Sequence, residues 1–355
     1  MSTAQKSVSD GRVTDFASYV NGLPADLAVE AEVKRDMIEE ILELKAAKDV
    51  LILGHNYMSP LVYNLSDRDC RGDSLALSLK AARTSRPIIL FNGVGFMAET
   101  AKILNPDKTV LLADRHSGCS LAAGLTRDDV RTMKAAFPGV PVVAYINSTA
   151  AVKAESDICC TSANGLDVVR STGADRVIFI PDSLMGENLQ QEIDRQDLGI
   201  DLIYPGKSGL VNRTQCEVHE QISVEDIRNI RIGHDIPKNH PRRAVLVHWE
   251  CHPAVVEEAD FCGSTSQMAR YIAERRPERV FLGTECEMAA NLRTEFPQTE
   301  FVRLCNVFCR HMALIRLDKI LAALRTQDPE YEVIIDDSLR RRALQPIRKM
   351  LALAA

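Results

Sequence analysis

Three stretches of this chain follow the same order of strands, polar residues and helices, and that repeat restricts the fold more than any other feature of the sequence. Each copy opens with a β-branched run whose end carries polar residues at i and i+2. The pairs are His55 and Tyr57, Tyr145 and Asn147, and His248 and Glu250. Side chains alternate along a strand, so each pair is expected to share one face. A second marker follows, reading Asp69-x-x-Gly72-x-Ser74, Asp157-x-x-Cys160-x-Ser162 and Asp260-x-x-Gly263-x-Thr265. In every copy a helical stretch begins at or just after the hydroxyl residue. A hydroxyl there can cap free backbone N–H groups, and that end of a helix attracts anions. Two further strands then lead to a cysteine, giving Cys119, Cys216 and Cys309 at nearly even spacing.

Nine apolar runs predict strands: DVLILG, RPIILF, TVLLAD, PVVAYI, RVIFIP, DLIYPG, AVLVHW, RVFLG and EFVRL. Amphipathic segments such as SLALSLKAAR and STSQMARYIAER separate them, which is the signature of parallel sheets with crossover helices. In open parallel sheets, ligands bind beyond the carboxyl ends of the strands. Three such units facing a shared centre would therefore gather the polar pairs and the cysteines in one place. The bland alternative is that repeated α/β units resemble one another through packing alone. The C-terminal stretch DDSLRRRALQPIRKMLALAA has a basic and an apolar face, and is expected to pack on the first unit.

Hydrophobic residues make up 46% of the 355 positions and charged residues 26%, as in ordinary folded proteins. The net charge of −6, without a long basic run, gives a nucleic-acid or membrane-surface role no electrostatic support. No apolar stretch is long enough to cross a bilayer, and MSTAQKSVSDGRVTDF lacks the apolar core of a signal peptide. The expectation is a cytoplasmic protein, in which ten cysteines read as buried hydrophobes, ligands or nucleophiles rather than disulfides.

Structural zinc sites take four protein ligands, often at C-x-x-C spacing, and this chain has no such pair. Three single, distant thiolates on a [4Fe-4S] cluster would leave one iron open to water or substrate, where it could act as a Lewis acid. Cys70, Cys159, Cys160 and Cys262 lie in or beside strand-like segments and read as buried hydrophobes. Cys251, Cys286 and Cys305 sit near strand ends, and Cys305 competes with Cys309 for the third ligand position.

Several long motifs resemble the quinolinate synthase family. They are FMAETAKILNPDKTVLL with the following GCS at Cys119, GDSL, YINSTAAVKA, CCTSAN, CEVHE, LVHWEC, GSTSQM, and Cys309-x-x-Met312-x-x-Ile315-x-Leu317. The resemblance runs from about residue 35 to the C-terminus. It implies an α/β fold of three pseudo-symmetric three-layer α/β/α domains, with short parallel sheets around a central active site. The implied boundaries are an extension over 1–34, domain 1 over 35–117 completed by C-terminal helices 316–355, domain 2 over 118–210, and domain 3 over 211–315. The resemblance also implies the condensation of iminoaspartate with dihydroxyacetone phosphate to quinolinate, phosphate and water in NAD biosynthesis. A [4Fe-4S] cluster on Cys119, Cys216 and Cys309, with one open iron, would be the cofactor, which selects Cys309 over Cys305. An enzyme supplying iminoaspartate would be the functional partner.

Carried over residue by residue, His55, Ser74, Tyr145, Asn147, Ser162, His248, Glu250, Ser264 and Thr265 become substrate contacts, and Tyr57, Glu250 and His219 the catalytic acid/base groups. Both substrates are anionic, so histidines and helix N-termini would supply donors in an acidic chain. Family members often carry lysine where this chain has Ser183.

Three rival readings arise. Gly93-Val94-Gly95-Phe96-Met97-Ala98, with Asp114 further on, fits a dinucleotide-binding fingerprint. His248-x-Glu250-x-His252 offers three zinc ligands on one strand face. A non-enzymatic iron–sulfur sensor is the third, although no recognition helix supports it.

Overall fold

The computed structural model describes residues 11–304 and 307–353, so Cys305 lies outside the described residues. Three four-stranded parallel sheets carry the fold. The first contains β1 (Val50–His55), β2 (Arg71–Gly72), β3 (Ile88–Asn92) and β4 (Thr109–Leu111). The second contains β5 (Val142–Tyr145), β6 (Ile158–Cys160), β7 (Arg176–Ile180) and β8 (Asp201–Ile203). The third contains β9 (Arg243–His248), β10 (Phe261–Gly263), β11 (Arg279–Gly283) and β12 (Glu300–Val302). The strand orders β2-β1-β3-β4, β6-β5-β7-β8 and β10-β9-β11-β12 are the same in all three.

All pairings within these sheets are parallel. Parallel sheets are covered by helices on both faces, so their strands read as continuous apolar runs. Thus every residue of β1 is buried, as is every residue of β5. In each sheet the order reverses between the first and third strands, and the crevice at such a switch point is where ligands bind.

Nine strands fall where the apolar runs place them. The other three, β2, β6 and β10, are only two or three residues long and lie on the repeated marker itself. Each pairs with the first strand of its sheet and turns the chain back toward that strand's end. In each copy the helix starts at or after the marker hydroxyl, but in none is that hydroxyl itself the cap. Ser264 caps the Thr265–Arg275 helix and accepts from the Gln267 N–H. Asp73 caps the Ser74–Arg83 helix, so Ser74 is its first residue, while Ser162 precedes the Asn164 cap of the Gly165–Ser171 helix.

The C-terminal segment departs from expectation. The Leu317–Thr326 helix packs on the Arg35–Ala47 helix of the first unit. The last helix, Asp337–Leu353, instead packs mainly on β6 and the Ala150–Lys153 helix of the second unit, and less extensively on the Gly95–Leu104 helix of the first. An amphipathic pattern shows that a helix has an apolar face, not which neighbour receives it. Among the described residues, no helix is long and apolar enough to cross a membrane.

Candidate active site and metal centre

The carboxyl ends of the three sheets meet around one central cavity. His55, Tyr57, Ser74, Cys119, Tyr145, Asn147, Ser162, Cys216, His219, His248, Glu250, Thr265 and Cys309 all line it. Ser264 does not. Its side chain is buried beneath the helix start, accepting from Gln267 N and donating to Asp73 Oδ2 at 3.2 Å. In each polar pair the first residue ends a strand and the second lies in the turn beyond.

The loops bearing the three cysteines are fastened to one another. Ser120 Oγ donates to Gln215 O and accepts from Glu217 N, at 3.3 and 3.1 Å, joining the Cys119 and Cys216 loops. Ser117 Oγ donates to His311 O at 2.9 Å, joining the Cys119 and Cys309 loops. Glu217 receives Arg310 Nη2 at 2.6 Å and His311 Nε2 at 3.2 Å, closing the ring. Ser183 donates to Pro205 O at 2.8 Å and accepts from Thr214 N at 2.9 Å, holding the approach to Cys216.

The three thiols also share one local device. Cys119 receives backbone N–H groups from Leu121 and Ala122, Cys216 from Val218 and His219, and Cys309 from His311 and Met312. Donors at i+2 and i+3 favour an anionic sulfur. Burial works the other way, pushing Cys119 up to about 12, Cys309 to about 11, and Cys216 well above its ordinary value. A buried thiolate of this kind needs a cation, and metal binding deprotonates it. Three such thiols on one cavity suit an iron–sulfur cluster with one iron free of protein ligands.

A hydrogen-bonded chain crosses the cavity wall. Tyr57 Oη lies 2.5 Å from Thr284 Oγ1, which lies 2.9 Å from His219 Nε2. His219 Nδ1 lies 2.8 Å from Glu250 Oε2 and 3.2 Å from Cys216 Sγ. Glu250 Oε1 accepts from Tyr145 Oη at 2.5 Å and from Asn147 Nδ2 at 3.2 Å. Burial pushes Glu250 upward, but His219, His248 and the hydrogen bonds from His219 and Tyr145 outweigh it, holding the carboxyl well below the usual range. An ionised Glu250 fixes Nδ1–H on His219, so Nε2 accepts from Thr284, which in turn accepts from Tyr57. Burial, and then Glu250, push both tyrosines well above 10, so they hold their protons.

His55 and His248 are oriented alike. His55 Nδ1 accepts from Tyr57 N at 3.2 Å, and His248 Nδ1 accepts from Glu250 N at 3.3 Å. Each ring therefore keeps its proton on Nε2, and that of His248 meets Ser162 Oγ at 3.2 Å. Burial lowers His55 to about 4 and His248 to about 3, so both are neutral donors near pH 7.

The sequence reading passed over Thr284, Glu285 and Asp73. Thr284 and Glu285 follow β11 directly, at the switch point of the third sheet, and that position is the signal that marks them. Glu285 lines the cavity and accepts from Cys309 N at 3.3 Å, and burial raises it to about 8.

The rival motifs are otherwise engaged. Asp114 is paired with Lys319, and Gly95 N is bonded to Ser117 O, which leaves no free acid and no open glycine turn for a dinucleotide. His252 is exposed and caps the Pro253–Glu258 helix away from the cavity. A different trio, Cys216, His219 and Glu250, brings its ligand atoms within 4.8 Å of one another. Cys251 is buried with its thiol on Gly283 O at 3.4 Å, a packing role.

Comparison with known proteins shows the family. Residues 39–352 match the family model described as quinolinate synthetase A protein. The chain is 46% identical over 323 residues to quinolinate synthase 1 of Mesorhizobium japonicum, covering 91% of this chain and 93% of that one. It is 44% identical to quinolinate synthase of Agrobacterium fabrum, covering 89% and 86%. With quinolinate synthase of Xylella fastidiosa the figures are 43%, 91% and 89%.

Proposed function

The chain belongs to the quinolinate synthetase A family, and from that membership we propose that it condenses iminoaspartate with dihydroxyacetone phosphate, releasing phosphate and two waters to give quinolinate. Cys119, Cys216 and Cys309 would hold a [4Fe-4S] cluster. When bound, the cluster would supply a Lewis-acidic iron that favours departure of a hydroxyl. The observation that carries this reading is the ring of hydrogen bonds joining three cysteine loops, one from each repeat, around a single cavity.

The remaining work falls to side chains. Neutral His55 and His248 present Nε2–H donors to carboxylate or phosphate oxygens, with Ser74, Ser162 and Thr265 beside them. Tyr57 can take a proton from substrate as its own passes through Thr284 to Nε2 of His219, the direction in which the chain of donors runs. Glu250 stays ionised and stabilises a proton on His219 Nδ1 as the ring changes charge. Tyr145 and Asn147 fix the Glu250 carboxylate so that its second oxygen faces His219.

Anaerobic purification with iron and sulfide analysis, followed by a quinolinate assay, tests the proposal. Wild type should carry about four irons and four sulfides. Cys119→Ala, Cys216→Ala and Cys309→Ala should each lose most of both, together with turnover. Variants that keep a full cluster and full activity would refute the ligand assignment. Metal without sulfide would favour a mononuclear ion at Cys216, His219 and Glu250 instead.

A further inference from the structure

A second cavity lies behind the active centre, between the first and third units, with a volume of about 490 Å³. Arg68 and Arg71 line one side, while Ser266, Asn291, Thr294 and Glu295 are on the other. Among the described residues, neither guanidinium has a carboxylate within salt-bridge distance. Arg71 is half-buried 5.0 Å above the Tyr63 ring, with Nε on Ser66 O at 2.9 Å and Nη2 on Asn64 O at 3.4 Å. Those bonds leave Nη1 unengaged. Across the cavity, Ser266 is the second residue of the Thr265–Arg275 helix, whose cap serves only the Gln267 N–H.

Two guanidiniums and a helix start outweigh the single carboxylate of Glu295, so the cavity is set for an anion rather than a cation. We propose that it is a binding site for a tetrahedral phosphate dianion, either inorganic phosphate or a small phosphate monoester. Its wall is continuous with the active-site wall. Tyr63 Oη donates to Asn56 Oδ1 at 3.2 Å, and Asn56 Nδ2 donates to Thr265 Oγ1 at 2.8 Å. Asn56 therefore joins a residue of this cavity to one that lines the active centre.

Isothermal titration of the anaerobically purified full-length protein with inorganic phosphate, glycerol 3-phosphate and malate tests the site without turnover, so it stands or falls apart from the proposed reaction. Saturable phosphate or ester binding should weaken at least ~10-fold in Arg68→Ala and in Arg71→Gln, and stay within about twofold in Arg83→Ala, an exposed arginine that lines neither cavity. Arg68 is exposed and its side chain makes no hydrogen bond among the described residues, so its variant probes the site without disturbing the fold. Tighter binding of inorganic phosphate would assign the released ion as occupant, and tighter binding of the ester would assign the ester. No saturable binding, binding that survives Arg68→Ala, equal affinity for malate, or an equal loss in Arg83→Ala would each overturn the proposal.

Discussion

Replacing Thr284 by valine tests the proton path most directly, because valine keeps the shape and removes only the hydroxyl. That hydroxyl accepts from Tyr57 at 2.5 Å and donates to His219 Nε2 at 2.9 Å. Without it, Tyr57 and His219 each lose a partner in a buried wall, at a cost of about 1–3 kcal/mol apiece. Stability should fall by about 2–6 kcal/mol, provided water does not enter the gap. Turnover should fall further, since a broken acid/base relay typically loses 10²–10⁴ in rate. The expected result is a drop in kcat of about 10²-fold or more, with KM nearly unchanged and iron and sulfide at wild-type levels. Thr284→Ser should recover most of the rate, because it restores the same donor and acceptor. The measurement is an anaerobic quinolinate assay with varied substrates, beside thermal melts and metal analysis of the same samples. A valine variant with kcat within about twofold of wild type and an intact cluster would show that no proton passes through this residue.

Ser120→Ala should leave the fold intact but remove the two bonds that this hydroxyl makes between the Cys119 and Cys216 loops. Losing two net hydrogen bonds of about 1 kcal/mol each should speed cluster loss to a chelator by roughly 10–30-fold, read by loss of visible absorbance. Unchanged loss kinetics would mean that the cysteines are held by other contacts. His55→Gln should flatten the acid side of the stability profile. The folded pKa of His55 is depressed from 6.5 to about 4, so its contribution is complete above pH 6.5 and lost as pH falls toward 4. Between pH 7 and pH 5, wild type should lose about 2 kcal/mol more than the variant in urea melts, and parallel losses would contradict a neutral buried ring.

Much of the site was legible because the repeat places chemistry at fixed points of a fixed topology. His55, Tyr145 and His248 end the first strands of their sheets, and Tyr57, Asn147 and Glu250 follow two residues on. The short strands β2, β6 and β10 escaped because two or three residues are too few to show a period. They were nonetheless marked by Asp69, Asp157 and Asp260, two of which brace the neighbouring strand. Asp157 accepts from Val142 N and Asp260 from Val245 N, each at 2.8 Å. Ser264 misled because a cap hydroxyl at a helix start turns toward its own backbone, whereas Thr265, one residue on, faces the centre.

Thr284 was harder to see because nothing in the other copies corresponds to it. The first copy has Gly93 after its third strand and the second has Pro181, so only the third offers a hydroxyl there. The same asymmetry runs through the polar pairs, where one backbone position carries Tyr57, Asn147 or Glu250. Symmetry of the backbone brings three loops to one centre, and differences among the side chains at equivalent points make that centre directional. A proton donor lies on the first unit, a carboxylate and imidazole on the third, and the groups that hold the carboxylate on the second. Three identical copies would supply three equal donors around a metal centre, with no gradient along which a proton could move. On this reasoning the repeat determines where chemistry takes place, and Thr284, His219 and Glu250 determine its direction.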